Sequence, residues 1–275
     1  MRRISLLAVM WACATPAPQE DPDQWFTPPS DYDVTEAVAF TDENYDFSGP
    51  TAIADLPLPG DFELLLAPGD LPSSTDCADW VSSAELPAEI EGIVTLLPRY
   101  YYKTGGCAPT PDIDSDQKFY GSYFVQDETA GYFVLGDSKV AHFDMGDRVR
   151  LRVRAIKEAY DQTMIAVHDV VSIERGPEPI FFERADGPLT LDGVSRVFRI
   201  EGTVATPMST FGEVYLDADD GTRYKFSLDA ELARRGIEPA IGDRMRVTGP
   251  VLYSFSELTV LVMRVGQLEW LATAE

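Results

Sequence analysis

The sequence predicts an all-β chain made of two tandem five-stranded Greek-key barrels. Two repeated motifs carry that expectation. Gly146-Asp147-Arg148-Val149-Arg150-Leu151-Arg152-Val153 returns ninety-six positions later as Gly242-Asp243-Arg244-Met245-Arg246-Val247-Thr248-Gly249. Ile90-Glu91-Gly92-Ile93-Val94 returns as Ile200-Glu201-Gly202-Thr203-Val204. In a Gly-Asp turn the glycine can take φ > 0 and the aspartate can bond its own backbone, so each copy launches a strand whose apolar residues alternate with polar ones. A chain of 275 residues gives each copy enough length to bury its own core.

The N-terminus comes first. Met1-Arg2-Arg3 precedes the apolar run Ile4 to Ala12, the basic start and short core of a secretory signal, too short to span a bilayer as a helix. Residues 1–12 read as a signal peptide. Ala12-Cys13 then resembles the end of a lipobox, the bacterial lipoprotein motif, although Met10 and Trp11 depart from its usual residues. The resemblance implies that Cys13 receives the lipid, and Ala14 behind it implies outer-membrane delivery by similarity to Gram-negative lipoproteins. The other reading is cleavage after Ala12-Cys13-Ala14, which discards the cysteine.

Residues 13–76 form an acidic, proline-rich linker. From Ala14 through Pro98 there is no Lys or Arg against eighteen Asp and Glu, whereas Arg99 to Glu275 holds twenty basic and twenty-eight acidic residues. Such a stretch lacks the apolar surface to offset its ordering entropy, so a disordered tether is expected, with a reach of roughly 45 Å for about sixty residues. Short apolar runs such as Phe62-Glu63-Leu64-Leu65-Leu66 could dock on the first domain. The formal net charge of -24 repels phosphodiester backbones and disfavours nucleic acid as a partner.

The first domain, 77–176, opens its strands at Ile90–Leu96, and the second, 177–275, at Phe198–Val204. Hairpins follow at Tyr123–Val134 and Val214–Phe226, each turning on acidic residues and glycine. In the second copy Ser227 is placed to cap a short helix over 228–235 that ends at Gly236. The Gly-Asp strands come next, and apolar strands at Met164–Ile173 and Leu258–Val265 close the copies. Strand, hairpin, helix, strand, strand is the order of an OB-fold.

Glu-Gly-x-Val, Phe124-Val125-Gln126-Asp127-Glu128-Thr129-Ala130-Gly131 and Gly-Asp-Arg-Val-Arg together resemble the OB-fold modules of bacterial exported proteins, some of them attached to extracellular nucleases. The likeness spans about 90–175 and 198–270. It implies the fold and not an activity, because these are turn and core residues and no nuclease domain is present.

Candidate sites are few. Arg148, Arg150, Arg152 and Arg154 alternate with apolar residues, so a strand projects all four from one face at roughly 6.6 Å intervals. They read either as a track for an anionic polymer or as a charge ladder paired with local acids. Arg99-Tyr100-Tyr101-Tyr102-Lys103 offers Tyr100 and Tyr102 as stacking platforms, or else continues a strand with half-buried tyrosines. Asp112-Ile113-Asp114-Ser115-Asp116 starts like a calcium loop, but Gln117 replaces the required glycine and Tyr123 the bidentate glutamate, so no metal is expected. Cys77 and Cys107 can pair once Cys13 is acylated, and export favours that disulfide over two free thiols. It would stabilise the fold by about 3 to 4 kcal/mol. His142 and His168 lack ligand spacing with the cysteines. No nucleophile with its base, phosphate loop or cofactor motif is present, so an enzyme is not expected.

These readings converge on a non-catalytic, lipid-anchored cell-envelope protein presenting two barrels as a binding or scaffolding surface. The alternative is an OB-type binder of nucleic acid or anionic polysaccharide using the arginine stripe. Whether the barrels pack together or swing on Arg175–Pro179 is left open.

Overall fold

A computed structural model describes residues 34–35, 37–47, 49–56, 88–101, 121–135, 143–159, 162–176, 178–254 and 256–272. The elements run in chain order as β1 (Phe40–Thr41), β2 (Ala88–Tyr101), β3 (Gly121–Gln126), β4 (Gly131–Leu135), β5 (Arg148–Ala159), β6 (Gln162–Glu174), β7 (Ile180–Phe181) and β8 (Glu183–Arg184). They continue as β9 (Val197–Val204), β10 (Glu213–Asp217), β11 (Arg223–Leu228), α1 (Ala230–Arg234), β12 (Arg244–Ser254), β13 (Glu257–Val262) and β14 (Leu268–Trp270). The described chain is mostly β with one short α-helix.

In the first unit β2, β3, β4, β6 and β5 close a five-stranded barrel in that order, with β4 and β6 parallel and the other pairs antiparallel. This ring is the OB arrangement. Ile90, Val94, Tyr123, Val125, Val134, Val149, Leu151 and Val153 point inward and form its core. In the second unit the order is β14-β12-β13-β11-β10-β9-β8, and β12 pairs with β9 as well.

The repeated motifs occupy matching places. Gly92 faces Val149 and Glu91 faces Arg150 across β2 and β5, while Gly202 faces Met245 and Glu201 faces Arg246 across β9 and β12. Gly146 and Gly242 sit at φ 89 and 92°, where a side chain would be strained. Asp147 Oδ2 accepts from the Asp144 amide at 2.9 Å, and Asp243 Oδ2 from the Ala240 amide at 2.9 Å. A Cβ on Gly92 would lie 2.8 Å from the Gln126 carbonyl oxygen, and one on Gly202 2.8 Å from that of Asp217. The glycine of each Ile-Glu-Gly motif therefore lets its strand cross the next one closely.

Two expectations are corrected. The helix is capped by Asp229, whose Oδ1 accepts from the Glu231 amide at 2.8 Å, because Ser227 still belongs to β11. The arm is not solvated chain throughout. Between Val34 and Leu56, Val34, Phe47, Ile53 and Leu56 are buried, and β1 pairs in parallel with β7. Single apolar side chains there dock into cores built by the rest of the chain, and Ile53 and Leu56 join the first barrel's interior.

The two units do not swing apart. A separate apolar cluster joins Ile93, Leu96, Phe124, Phe133 and Met145 of the first unit to Val197, Leu261 and Met263 of the second, with Phe47 from the arm and Ile180 and Phe182 from the connection. A bulge between Val94 and Leu96 turns Leu96 onto the seam face beside Ile93. Arg264, 3 % exposed, donates across the seam to Asp144 Oδ1 at 2.5 Å.

Gly131 meets the second unit directly, since a Cβ there would drive into the Ser195 carbonyl. Gly131→Ala should therefore overpack the seam and cost about 1–3 kcal/mol. Urea denaturation checks this, and an unchanged midpoint would show that the two units do not bear on each other there.

Candidate binding surfaces

Outward residues of strands two and three, with the adjoining loops, are the usual ligand face of an OB barrel. In the first barrel those outward residues include Phe124 on β3 and Phe133 on β4, whose rings lie 5.3 Å apart edge to face. Both are buried in the seam. The face that would otherwise receive a ligand is covered by the second unit.

The turn joining β3 and β4 works as a clasp. Gln126, 1 % exposed, donates from Nε2 to the Phe181 carbonyl at 3.1 Å and accepts at Oε1 from the Val197 amide at 2.7 Å. Asp127 Oδ2 accepts from the Ile53 amide at 2.7 Å. Its Oδ1 accepts from the Thr129 amide, the Thr129 hydroxyl and the Ala130 amide at 2.7, 2.6 and 2.9 Å. Glu128 accepts from the Phe47 amide at 3.3 Å, and Thr129 Oγ1 from the Ala54 amide at 3.1 Å. These are the residues of the Gln-Asp-Glu-Thr motif. They form a turn, as expected of the carboxylates, and they also hold the arm and the connection.

The arginine stripe meets acids of the neighbouring strand. Arg148 pairs with Glu91 at 3.1 Å and Glu178 at 3.8 Å and lies 4.7 Å over the Phe47 ring. Arg150 pairs with Glu89, and Arg152 reaches the same carboxylate at 3.5 Å. Arg154 lies on β5, and Tyr100 lies on β2 opposite Ser122, within a strand that continues to Tyr101. The side chains of Arg154 and Tyr100 lie outside the described residues, as do Tyr102, Cys13, Cys77, Cys107, His142 and the Asp112–Asp116 segment.

The matching face of the second unit carries a polar cluster around buried Lys225. Tyr215 and Lys225 stand opposite each other on β10 and β11. Lys225 Nζ sits 2.6 Å from Glu213 and 2.7 Å from Glu257, and the Tyr215 hydroxyl donates to Glu257 at 3.0 Å. Burial opposes the charge on Lys225, yet the bonds to Glu213 and Glu257 hold its pKa above the usual lysine value. The bond from Lys225 holds Glu257 below the usual carboxylate value. One cation thus faces two carboxylates, beside a loop that exposes 80 % of Phe211. Such a surface suits a mixed apolar and polar partner better than a polyanion.

Two tyrosines, half-buried Tyr45 and buried Tyr132, report on the assembly. Burial pushes Tyr45, packed edge to face on Phe47 at 4.5 Å, and Tyr132 up to about 12 from 10.0. The folded state holds these protons more tightly than the unfolded state does. Their stabilisation is therefore intact below pH 10 and is lost as the pH rises toward 12. A spectrophotometric titration should show these tyrosines ionising only as the protein unfolds in that window.

Among the described residues no group of three or more His, Cys, Asp or Glu is placed to hold a metal ion, and no helix is long and apolar enough to cross a membrane.

No protein-family model and no curated protein matches the chain. Among solved structures it is similar to the S. pombe Stn1-Ten1 complex at 22% identity and a TM-score of 0.23, over 28% of this chain and 59% of that one. It is also similar to the single-stranded DNA binding protein from Thermus aquaticus at 13% identity and a TM-score of 0.23, over 71% and 95% of the two chains. Against a replication protein A heterotrimer bound to ssDNA the values are 11% and 0.28, over 75% of this chain and 51% of that one.

Proposed function

We propose that the protein is a non-catalytic, lipid-anchored envelope protein whose two OB-like barrels form one binding or scaffolding head. The observation that carries this reading is the covered ligand face of the first barrel, where Phe124 and Phe133 are spent on joining the units. A surface buried in this way serves assembly. The second unit is read as a second barrel because β9 to β13 repeat the pairing of β2 to β6, with Glu201 and Arg246 in the register of Glu91 and Arg150.

Anchoring is assigned to Cys13. Radiolabelled palmitate should enter the wild-type chain in its host and be absent from Cys13→Ser, and globomycin should block maturation of the wild type. Labelling that survives the substitution would overturn the anchor.

The alternative, binding of nucleic acid or anionic polysaccharide along Arg148, Arg150, Arg152 and Arg154, relies on guanidiniums of which the first three already meet Glu89 or Glu91. Affinity for such polymers is therefore expected to be weak and nearly flat against salt, since few counterions would be released. A steep loss of binding with salt in a filter assay would restore that alternative.

A further inference from the structure

Acids outnumber bases by two to one in this chain, and Arg148, Arg150, Arg152 and Arg264 each meet a carboxylate. Arg199 does not. On β9 its Nε donates to the buried Thr248 hydroxyl at 2.9 Å, and its guanidinium lies 3.6 Å over the ring of buried Phe182. Among the described residues it makes no ion pair within 4.0 Å. It is also half-buried.

Arg184 stands beside Arg199 across β8 and β9, with its own guanidinium 6.0 Å from the same Phe182 ring. Arg184 is occupied by Asp42 at 3.1 Å, and Arg246 by Glu269 at 2.7 Å and Glu201 at 3.1 Å. Burial first, and then the charges of Arg246 and Arg184, lower the pKa of Arg199, against the opposing charges of Glu269 and Asp42, neither of which bonds to it.

We propose that Arg199, stacked on Phe182 and flanked by Arg184, is a carboxylate-binding site that takes an acidic side chain of a polypeptide partner. With its neighbours neutralised, Arg199 offers a single uncompensated charge, the complement of one carboxylate and a poorer match for a dianionic phosphate. Its two Nη groups present the fork that a carboxylate accepts from side by side. The arm shows the mode of approach: the extended Phe40–Thr41 strand lies along β7, and the next residue delivers the Asp42 carboxylate to Arg184. A peptide is therefore favoured over an acidic glycan. The proposal names the partner class for the binding head and rests on that reading, but not on its lipid anchor.

The test titrates the purified full chain with hexaglutamate at 0.15 M salt, where long-range repulsion is screened beyond about 8 Å. Hexaglutamine, inorganic phosphate and polygalacturonate are the comparison probes. Hexaglutamate should bind, Arg199→Gln should weaken it at least tenfold, and Asp42→Asn should tighten it by freeing Arg184. Should Arg199→Gln fail to fold, the Arg199 Nε–H resonance of the wild type decides, because it must shift on adding hexaglutamate and stay fixed with hexaglutamine. No binding, equal binding by Arg199→Gln, or a shift caused by phosphate or polygalacturonate and not by the peptide would each overturn the proposal. None of these results bears on whether Cys13 is lipidated.

Discussion

Asp127→Ala is expected to cost about 3–5 kcal/mol and to release the arm from the body. The carboxylate is 2 % exposed and accepts four hydrogen bonds, three of them from backbone amides. Alanine leaves those donors without acceptors in places that water reaches poorly. The Ile53 amide bond ties the arm to the hairpin, so its loss should also pull Ile53 and Leu56 out of the first barrel's core. The check is hydrogen exchange at the amides of Phe47 and Ile53 beside urea denaturation. Protection should collapse in the arm before the barrel strands, and Asp127→Asn, which keeps one carbonyl acceptor, should fall between the two. Arm amides that stay protected in the alanine variant would show that apolar docking alone holds the segment.

Gln126→Ala is expected to cost about 2–4 kcal/mol and to separate the unfolding of the two units. One side chain satisfies a carbonyl on β7 in the connection and an amide on β9 of the second unit. Neither group gains another partner when the amide is removed. The apolar seam remains, so the units should still associate, but less cooperatively. Calorimetry should show a single transition in the wild type that broadens or divides in the variant. A single transition of unchanged midpoint would mean that the seam's rings suffice without the polar bridge.

The barrel ring was legible in the chain because its determinants are local. A Gly-Asp turn at positive φ and a glycine that must pass under the next strand leave the same mark in both copies, and they fall where the register needs them. The arginine stripe was equally legible as alternation. Its partners were not, because Glu89 and Glu91 lie some sixty positions away and meet it only when the barrel closes.

The seam left a fainter mark. Tyr123-Phe124-Val125 and Tyr132-Phe133-Val134 are apolar at every position, the pattern of strands covered on both faces. That pattern signals cover without saying what provides it. The arm left almost none: Phe40, Phe47, Ile53 and Leu56 are scattered among acids without any period, and each is held by the hairpin or by a core that it does not help to propagate. Arg199 was invisible for a related reason. Its distinction is the absence of a carboxylate, and that depends on the placement of every neighbour.

If Cys13 anchors the chain as proposed, the docked arm would govern how the head responds to mechanical load. With Cys13 as anchor, only twenty residues separate it from Val34, a span of at most about 70 Å even when fully extended. Residues 57–87 lie between two segments fixed on the body and add nothing to that span while Val34–Leu56 stays seated. Tension between anchor and head would therefore fall first on buried Val34, whose carbonyl accepts from the Val265 amide, and on the β1–β7 pairing, and only then on the bonds to Asp127, Glu128 and Thr129. Release of those bonds would lengthen the leash to seventy-odd residues, or at most about 270 Å. The hairpin clasp would then be the last catch before residue 88, and the force that opens it would set how far the head stands from its anchor.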